Sequence, residues 1–252
     1  MSDVTRAEVC AVACAEAFRD NGEILASAFG TVPTIGARLA RTTFSPDLLL
    51  TDGEAHFVQG TWAVGSPATG TVEGWSPFRG IFDLVWTGRR HVMMIPAQID
   101  AQGNVNISAL GDHRRPKVQL VGVRGAPGNS VNHPTSYWMP KHSTRVFVPK
   151  VDLVAGVGND SAAAGGAAAK RFHDLRRVVT DLAVLDFHPG SGAMRLRSVH
   201  PGVTVEQVQE ATGFPLVVEG EVPDTRLPTE DELTLIREVI DPRGLRDHEV
   251  PA

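Results

Sequence analysis

The chain has 252 residues, 42% of them hydrophobic and 21% charged, the balance of a folded globular protein rather than a disordered one. Its 24 Lys+Arg against 29 Asp+Glu leave a formal charge of −5 with no long basic run, so nucleic acid has nothing to hold. No apolar run approaches the ~18 residues a membrane span requires, and no basic stretch leading into an apolar core opens the chain. Neither membrane insertion nor secretion is expected.

Thr5 with Glu8 three residues on forms the reciprocal cap that satisfies two orphan amides, which predicts a helix start. Cys10, Ala13, Cys14, Ala17 and Phe18 follow at helical spacing, and Asn21-Gly22 supplies the stop. The two cysteines have no second pair to complete a metal tetrad, so they read as small core residues in a reducing cytoplasm. Residues 24–29 read as a buried strand, Pro33 as the first position of a helix to about 43, and residues 48–51 as a second strand ending in Asp52-Gly53-Glu54. This is the rhythm of helices alternating with parallel strands.

Residues 59–80 hold five Gly and two Pro around Trp62 and Trp75 and are expected to be irregular. Strands are expected at 92–95, 118–123, 146–148, 153–155, 178–180, 183–187 and 195–199, with Gly103-Asn104-Val105-Asn106 as a turn between the first two. The Ala/Gly-rich residues 161–169 read as a flexible surface connection. Two further capped helices begin at Thr204 (with Gln207) and Thr229 (with Glu232), and Asp241-Pro242 ends the last. No repeat or break divides the chain, so residues 1–252 are expected to form one α/β domain, an open three-layer α/β/α sandwich on a mostly parallel sheet.

The nine histidines are scattered without an H-E-x-x-H or a ligand pair at helical spacing, so no metal is expected. There is no G-x-S-x-G elbow, no Walker loop and no G-x-G-x-x-G opening a helix after the first strand. Two stretches carry more. Gly122-Val123-Arg124-Gly125-Ala126-Pro127-Gly128-Asn129 follows an apolar stretch, and its glycines would let backbone amides close on a negatively charged oxygen, although three glycines and a proline also simply make a loop. Asp52-Gly53-Glu54 ends a strand, the place for a catalytic carboxylate or for a polar turn. Asn132-His133-Pro134-Thr135-Ser136-Tyr137-Trp138 sets polar groups, including the only Tyr, beside aromatics, as a pocket wall or a loop anchor.

These residues resemble a family. Pro46-Asp47, Gln98-Ile99-Asp100, Gly103-Asn104-Val105-Asn106, Gly111-Asp112, Pro116-Lys117, Gly125-Ala126-x-Gly128, His200-Pro201-Gly202-Val203-Thr204, Thr212-Gly213-Phe214, Leu235-Ile236-Arg237 and Ile240-Asp241-Pro242 match class I coenzyme A transferase β subunits in order. The resemblance implies the sandwich fold and a related α subunit, with α2β2 as the expected assembly. In glutaconate-type members a β-subunit glutamate at the end of the second strand attacks the acyl-CoA. Gapless alignment from Pro46-Asp47 puts Gly53 there, with Glu54 one place late, and the 3-oxoacid Glu-Asn-Gly motif falls on Thr51-Asp52-Gly53. Successive side chains of an extended segment point to opposite sides, so Glu54 recovers the position only through a bulge.

Without that nucleophile, the same pocket could hold acyl-CoA while water attacks. Thr51-Asp52-Gly53-Glu54-Ala55, Val123-Arg124-Gly125, Pro127-Gly128-Asn129, Asn132-His133 and Thr135-Ser136-Tyr137-Trp138 look most like the β subunits of actinobacterial steroid-ring-cleaving CoA hydrolases. That resemblance implies retro-Claisen opening of a cyclic 6-oxo-cyclohexene carboxyl-CoA late in cholesterol breakdown, with the water-activating glutamate on the α subunit. Coenzyme A enters as part of the substrate, with no permanently bound cofactor. Gly125 and Ala126 are the candidate oxyanion donors. Glu54, Asn104, Asn129, His133 and Tyr137 are the further candidates, Glu54 catalytic and the others substrate-binding. The alternatives are a CoA transferase of a dicarboxylic or 3-oxo acid working through Glu54, and a non-catalytic scaffold subunit.

Overall fold

A computed structural model describes residues 4–50 and 55–251, and the Asp52-Gly53-Glu54 reading lies outside the described residues. The chain divides into two compact units, one formed by Met1–Met93 with Arg226–Ala252 and the other by Met94–Thr225.

In the first unit α1 (Arg6–Glu16) begins with the expected cap, Thr5 and Glu8 exchanging side-chain and backbone bonds. β1 (Leu25–Ala28), α2 (Thr31–Thr42) and β2 (Leu49–Leu50) follow. The helices α1 and α2 press together where Gly36 faces small residues: a Cβ there would lie 2.7 Å from the Cys14 Cβ and 2.8 Å from the Ala11 carbonyl. Cys10 and Cys14 are buried thiols, packing residues as expected, and burial pushes the Cys14 thiol well up.

β3 (Ala55–Val58) and β4 (Val72–Ser76) then form an antiparallel pair of their own. The region expected to be irregular therefore contains a strand: Val72 and Trp75 supply β-propensity that its glycines concealed. α3 (Gly80–Thr87) leads to β5 (Arg90–Met94). Both β2 and β5 run parallel to β1, in register Leu25↔Leu49 and Leu25↔Arg90.

The second unit opens with the hairpin β6 (Gln98–Ile99) and β7 (Val105–Asn106), so half of the expected glycine–asparagine turn is strand. A second small hairpin joins β8 (Ala109–Leu110) to β9 (Val118–Gln119). This corrects the strand expected at 118–123. It is two residues long, antiparallel and exposed, and Gly122 (φ 85°) and Arg124 (φ 50°) turn the chain away in left-handed conformations. The glycine loop is therefore delivered by no parallel strand.

It runs instead into α4 (Ala126–Asn132) and the buried β10 (Pro134–Met139). Neither 146–148 nor 153–155 forms a strand. Phe147 and Gly156 make only isolated bridges, to Ile99 and Val105. Residues 161–169 are largely helical, in α5 (Asn159–Ala164) and α6 (Gly166–Lys170), because alanine favours helix and only Gly166 (φ 79°) interrupts it.

β11 (Asp174–Thr180) pairs parallel with β10, whereas β12 (Ala183–Phe187) and β13 (Met194–Val199) continue antiparallel. α7 (Val205–Glu210) carries the expected Thr204–Gln207 cap and closes the unit's helices. Back in the first unit, α8 (Glu230–Thr234) has the Thr229–Glu232 cap, passes into a π-helical turn (Leu235–Ile240) ended at Asp241, and is followed by α9 (Arg246–Glu249). This tail docks on α1 through charge. Glu8, fully buried, accepts from Arg237 at 2.7 and 2.9 Å and from Arg246 at 3.1 Å.

Candidate functional site

Four of the sequence candidates gather around α4. Gly125 caps it at φ −85°, a conformation any residue adopts, and a Cβ there would meet the Asn129 amide at an ordinary 3.6 Å. The Ala126 amide donates to the Val123 carbonyl at 3.1 Å, and the Asn129 amide to Gly125 at 2.9 Å. The Gly125 amide has no acceptor among the described residues, which leaves it the amide of this pair able to meet a ligand oxygen. Asn129 is buried, its Nδ2 3.6 Å from the Met94 sulfur and its Oδ1 3.1 Å from His133 Nε2. His133, also buried, sets Nδ1 3.0 Å from the Pro134 carbonyl. A polar wall of fixed orientation thus stands behind Gly125.

Asn104 stands apart from that group. Its Nδ2 donates to both Asp100 oxygens (3.2 and 3.0 Å) and to Asp160 (2.8 Å), and its Oδ1 accepts from the Gly158 amide at 2.8 Å. Asp100 also accepts the Gln102 and Asn104 amides, both at 3.0 Å, while burial above all raises its pKa. The neighbouring Gln98–Asn106 pair works alike: Gln98 bonds Asn106 and Asp152, and Asn106 bonds the Ala109 carbonyl. The motif that reads most clearly in the sequence is a polar staple for the β6–β7 hairpin.

Tyr137 is fully buried in β10, and burial raises its pKa, with Asp100 adding to the effect. Its hydroxyl has no hydrogen-bond partner among the described residues. The buried histidines His142 and His200 are held by Thr180 with Thr212 and by Thr225 with the Thr180 carbonyl, respectively. Among the described residues no cluster of His, Cys, Asp or Glu could hold a metal, and no helix is long and apolar enough to cross a membrane.

A cavity of about 520 Å³ opens in the first unit at the carboxyl ends of β1 and β2, lined by Ala28, Leu50, Arg38 and Arg41 of α2, and His56 and Glu73 of the β3–β4 pair, among others. Open α/β sheets bind ligands at this edge, and the volume suits a small molecule. Sequence reasoning missed its two arginines. Their i,i+3 spacing puts them on one face of α2, the only signal available, and a solvated helix face would look the same.

A model of the coenzyme A transferase family matches residues 81–211. This chain belongs to the coenzyme A transferase family. It is 54% identical over 250 residues, 99% of this chain and 98% of the relative, to the cholesterol ring-cleaving hydrolase IpdB subunit of Rhodococcus jostii. A chain of the IpdAB crystal structure from Rhodococcus jostii superposes with a TM-score of 0.94, covering 100% of both chains. Glutaconate coenzyme A-transferase from Acidaminococcus fermentans superposes at 0.79 with 26% identity, covering 96% of each. The expected coenzyme A transferase fold is the one observed.

Proposed function

We propose that this chain is the β subunit of an αβ enzyme that opens a cyclic 6-oxo-cyclohexene carboxyl-CoA by carbon–carbon hydrolysis in cholesterol breakdown. The observation that carries the reading is the near-complete likeness, at more than half identity, to a ring-cleaving hydrolase subunit. Water adds to the ring ketone, giving up its proton to a glutamate of the α partner. The tetrahedral alkoxide collapses, the ring C–C bond breaks, and its electron pair passes into the thioester enolate. Protonation of that carbon completes the addition of one water and leaves a new carboxylate. The Gly125 amide, with Ala126 beside it, meets the developing oxyanion, and one such donor is worth ~3 kcal/mol of barrier. Asn129 and His133 orient the substrate there, Tyr137 is a further substrate-binding candidate, and Asn104 acts apart from them as the staple of the β6–β7 hairpin.

The partner reading draws on exposed apolar surface. Trp75 (57%), Phe78 (60%) and Trp86 (79%) stand exposed, side chains that solvent alone accommodates poorly in such number. An α2β2 assembly in the cytoplasm, with acyl-CoA as substrate and no resident cofactor, completes the proposal. Two buried cysteines that form no disulfide with each other suit that compartment.

The test is turnover in oxygen-labelled water by the chain copurified with its α partner. Label in the new carboxylate with no glutamyl-CoA adduct on Glu54 after borohydride supports hydrolysis. An adduct there establishes the transferase reading instead, and activity unaffected by Gly125→Val leaves this chain a scaffold.

A further inference from the structure

One imidazole ties α4 to the start of α5. Ser130 lies in the last turn of α4, and the residue four places on is Pro134, which has no N–H to offer its carbonyl. That carbonyl is met instead by Nδ1 of His173, the residue before β11, at 2.6 Å. The other ring nitrogen, Nε2, lies 3.0 Å from Asn159 Oδ1, at the first residue of α5. The orientation of the Asn159 amide is fixed, because its Nδ2 donates to the Gly192 carbonyl at 2.8 Å. Both partners of the ring are therefore acceptors, and a ring that satisfies both donates from both nitrogens. Ser130 is a hub in its own right: its Oγ donates to the Ala126 carbonyl at 2.9 Å and accepts the Val157 amide at 2.8 Å.

The helix held in this way presents the Gly125 amide and Asn129, so a tie at its carboxyl end bears on where those groups point. It has no titratable side chain of its own. On the elements around the ring, Asp160 of α5 bonds Asn104 and the Ser161 amide, and Asp174 of β11 holds Arg176. His188 accepts at Nδ1 from the Gly190 and Ser191 amides, with Glu219 3.4 Å from its Nε2. Lys170 ends α6, and Arg171 lies over Phe172. None of these side chains bonds the His173 ring. We propose that His173 is a positioning residue, a two-proton tie between α4 and Asn159, and that loss of the second proton slackens α4 and lowers turnover. The inference rests on the acyl-CoA hydrolase reading and deepens it by adding pH control of the same site.

Neutron diffraction from deuterated crystals of the assembled complex at neutral pD reads the ring directly. Deuterium on both His173 nitrogens supports the tie, and deuterium on one alone overturns it. In kinetics with a 6-oxo-cyclohexene carboxyl-CoA, kcat should fall as pH rises and the second proton leaves. His173→Asn carries a donor in the Nδ1 position and His173→Gln one in the Nε2 position, so each keeps a single bond. Both should lower kcat about tenfold at pH 6 with KM little changed, a fraction of the roughly 10²–10³ lost with a whole oxyanion donor. The deficit should close by pH 9, where the wild-type ring also has one donor. A deficit equal at both pH values makes His173 a plain brace and overturns the proposal, as does wild-type kcat in both variants. Should the variants fail to assemble, Asn159→Asp decides. A carboxylate there favours the second proton and should carry the alkaline fall to higher pH, and an unmoved fall refutes the tie. If the complex turns over no cyclic keto acyl-CoA, the hydrolase reading fails separately. Hydrogen exchange of the α4 amides then judges the tie: faster exchange in His173→Gln than in the wild type at pH 6, and equal exchange at pH 9, supports it, whereas equality at both ends it.

Discussion

Replacing Asn104 with Ala separates two roles for the same residue. The amide donates to two carboxylates and accepts the Gly158 amide, and both Asn104 and Asp100 are buried. Hydrogen bonds to charged groups contribute about 1.5–3 kcal/mol each, and a stranded buried amide costs about 1–3 kcal/mol. Since these losses overlap, the variant should be less stable by about 4 kcal/mol, a fall in Tm of roughly 10 °C for a chain of this size. The penalty should also depend on pH. A carboxyl whose folded pKa is raised above 3.8 holds its proton more tightly when folded, so its contribution to stability falls as pH rises through that window. Removal of the amide should raise the Asp100 pKa further, and the deficit should be larger at pH 7 than at pH 4.5. Thermal melts at both pH values, with KM on the surviving complex, measure this. An unchanged Tm with KM raised more than tenfold would make Asn104 a substrate ligand and refute the staple argument.

His142, stacked on Phe147 and held between two threonine hydroxyls, has its pKa pushed by burial from 6.5 down to about 3. The unfolded chain binds that proton first, so stability is lost as pH falls below 6.5. The stability gap between wild type and His142→Gln should then narrow by at most ~1.4 kcal/mol per pH unit across denaturant titrations, and a constant gap would contradict the assignment. Gly36→Ala puts a methyl 2.8 Å from the Ala11 carbonyl and 2.9 Å from the Ala15 nitrogen, backbone atoms that cannot rotate aside. Calorimetry should show a loss of about 1–3 kcal/mol, and a neutral result would mean the helices separate freely. Glu8→Gln removes one carboxylate from buried Arg246, which keeps Asp241 at 2.9 Å, and should cost about 1.5–3 kcal/mol in urea melts, whereas a stabilised variant would show the charge to be a burden.

Local chemistry was legible wherever it acts over a few residues. The caps at Thr5, Thr204 and Thr229 are all formed, because each needs only a hydroxyl and an acid or amide three positions apart. The stretches at 118–123, 146–148 and 153–155 misled because apolar residues also serve as isolated bridges and exposed hairpin arms, and only long-range pairing separates these uses from strands. At the candidate site, Gly125, Asn129 and His133 were readable together since they lie within one short helix and its flanks. Arg38 and Arg41 were not, because their meaning depends on the carbonyls of Gly60 and Trp62, a loop that only tertiary structure brings under α2.

The bond between Glu8 and the tail bears on how the protein is made. The Met94–Thr225 unit is one continuous piece, while the other unit holds a buried acid, Glu8, whose cations Arg237 and Arg246 are translated only after that whole piece. Until those arginines are made, α1 carries a charge it cannot bury against them, so its unit is completed only after the continuous one has been synthesised. Released chains truncated before Arg237 should therefore leave α1 open to protease, whereas the full chain protects it.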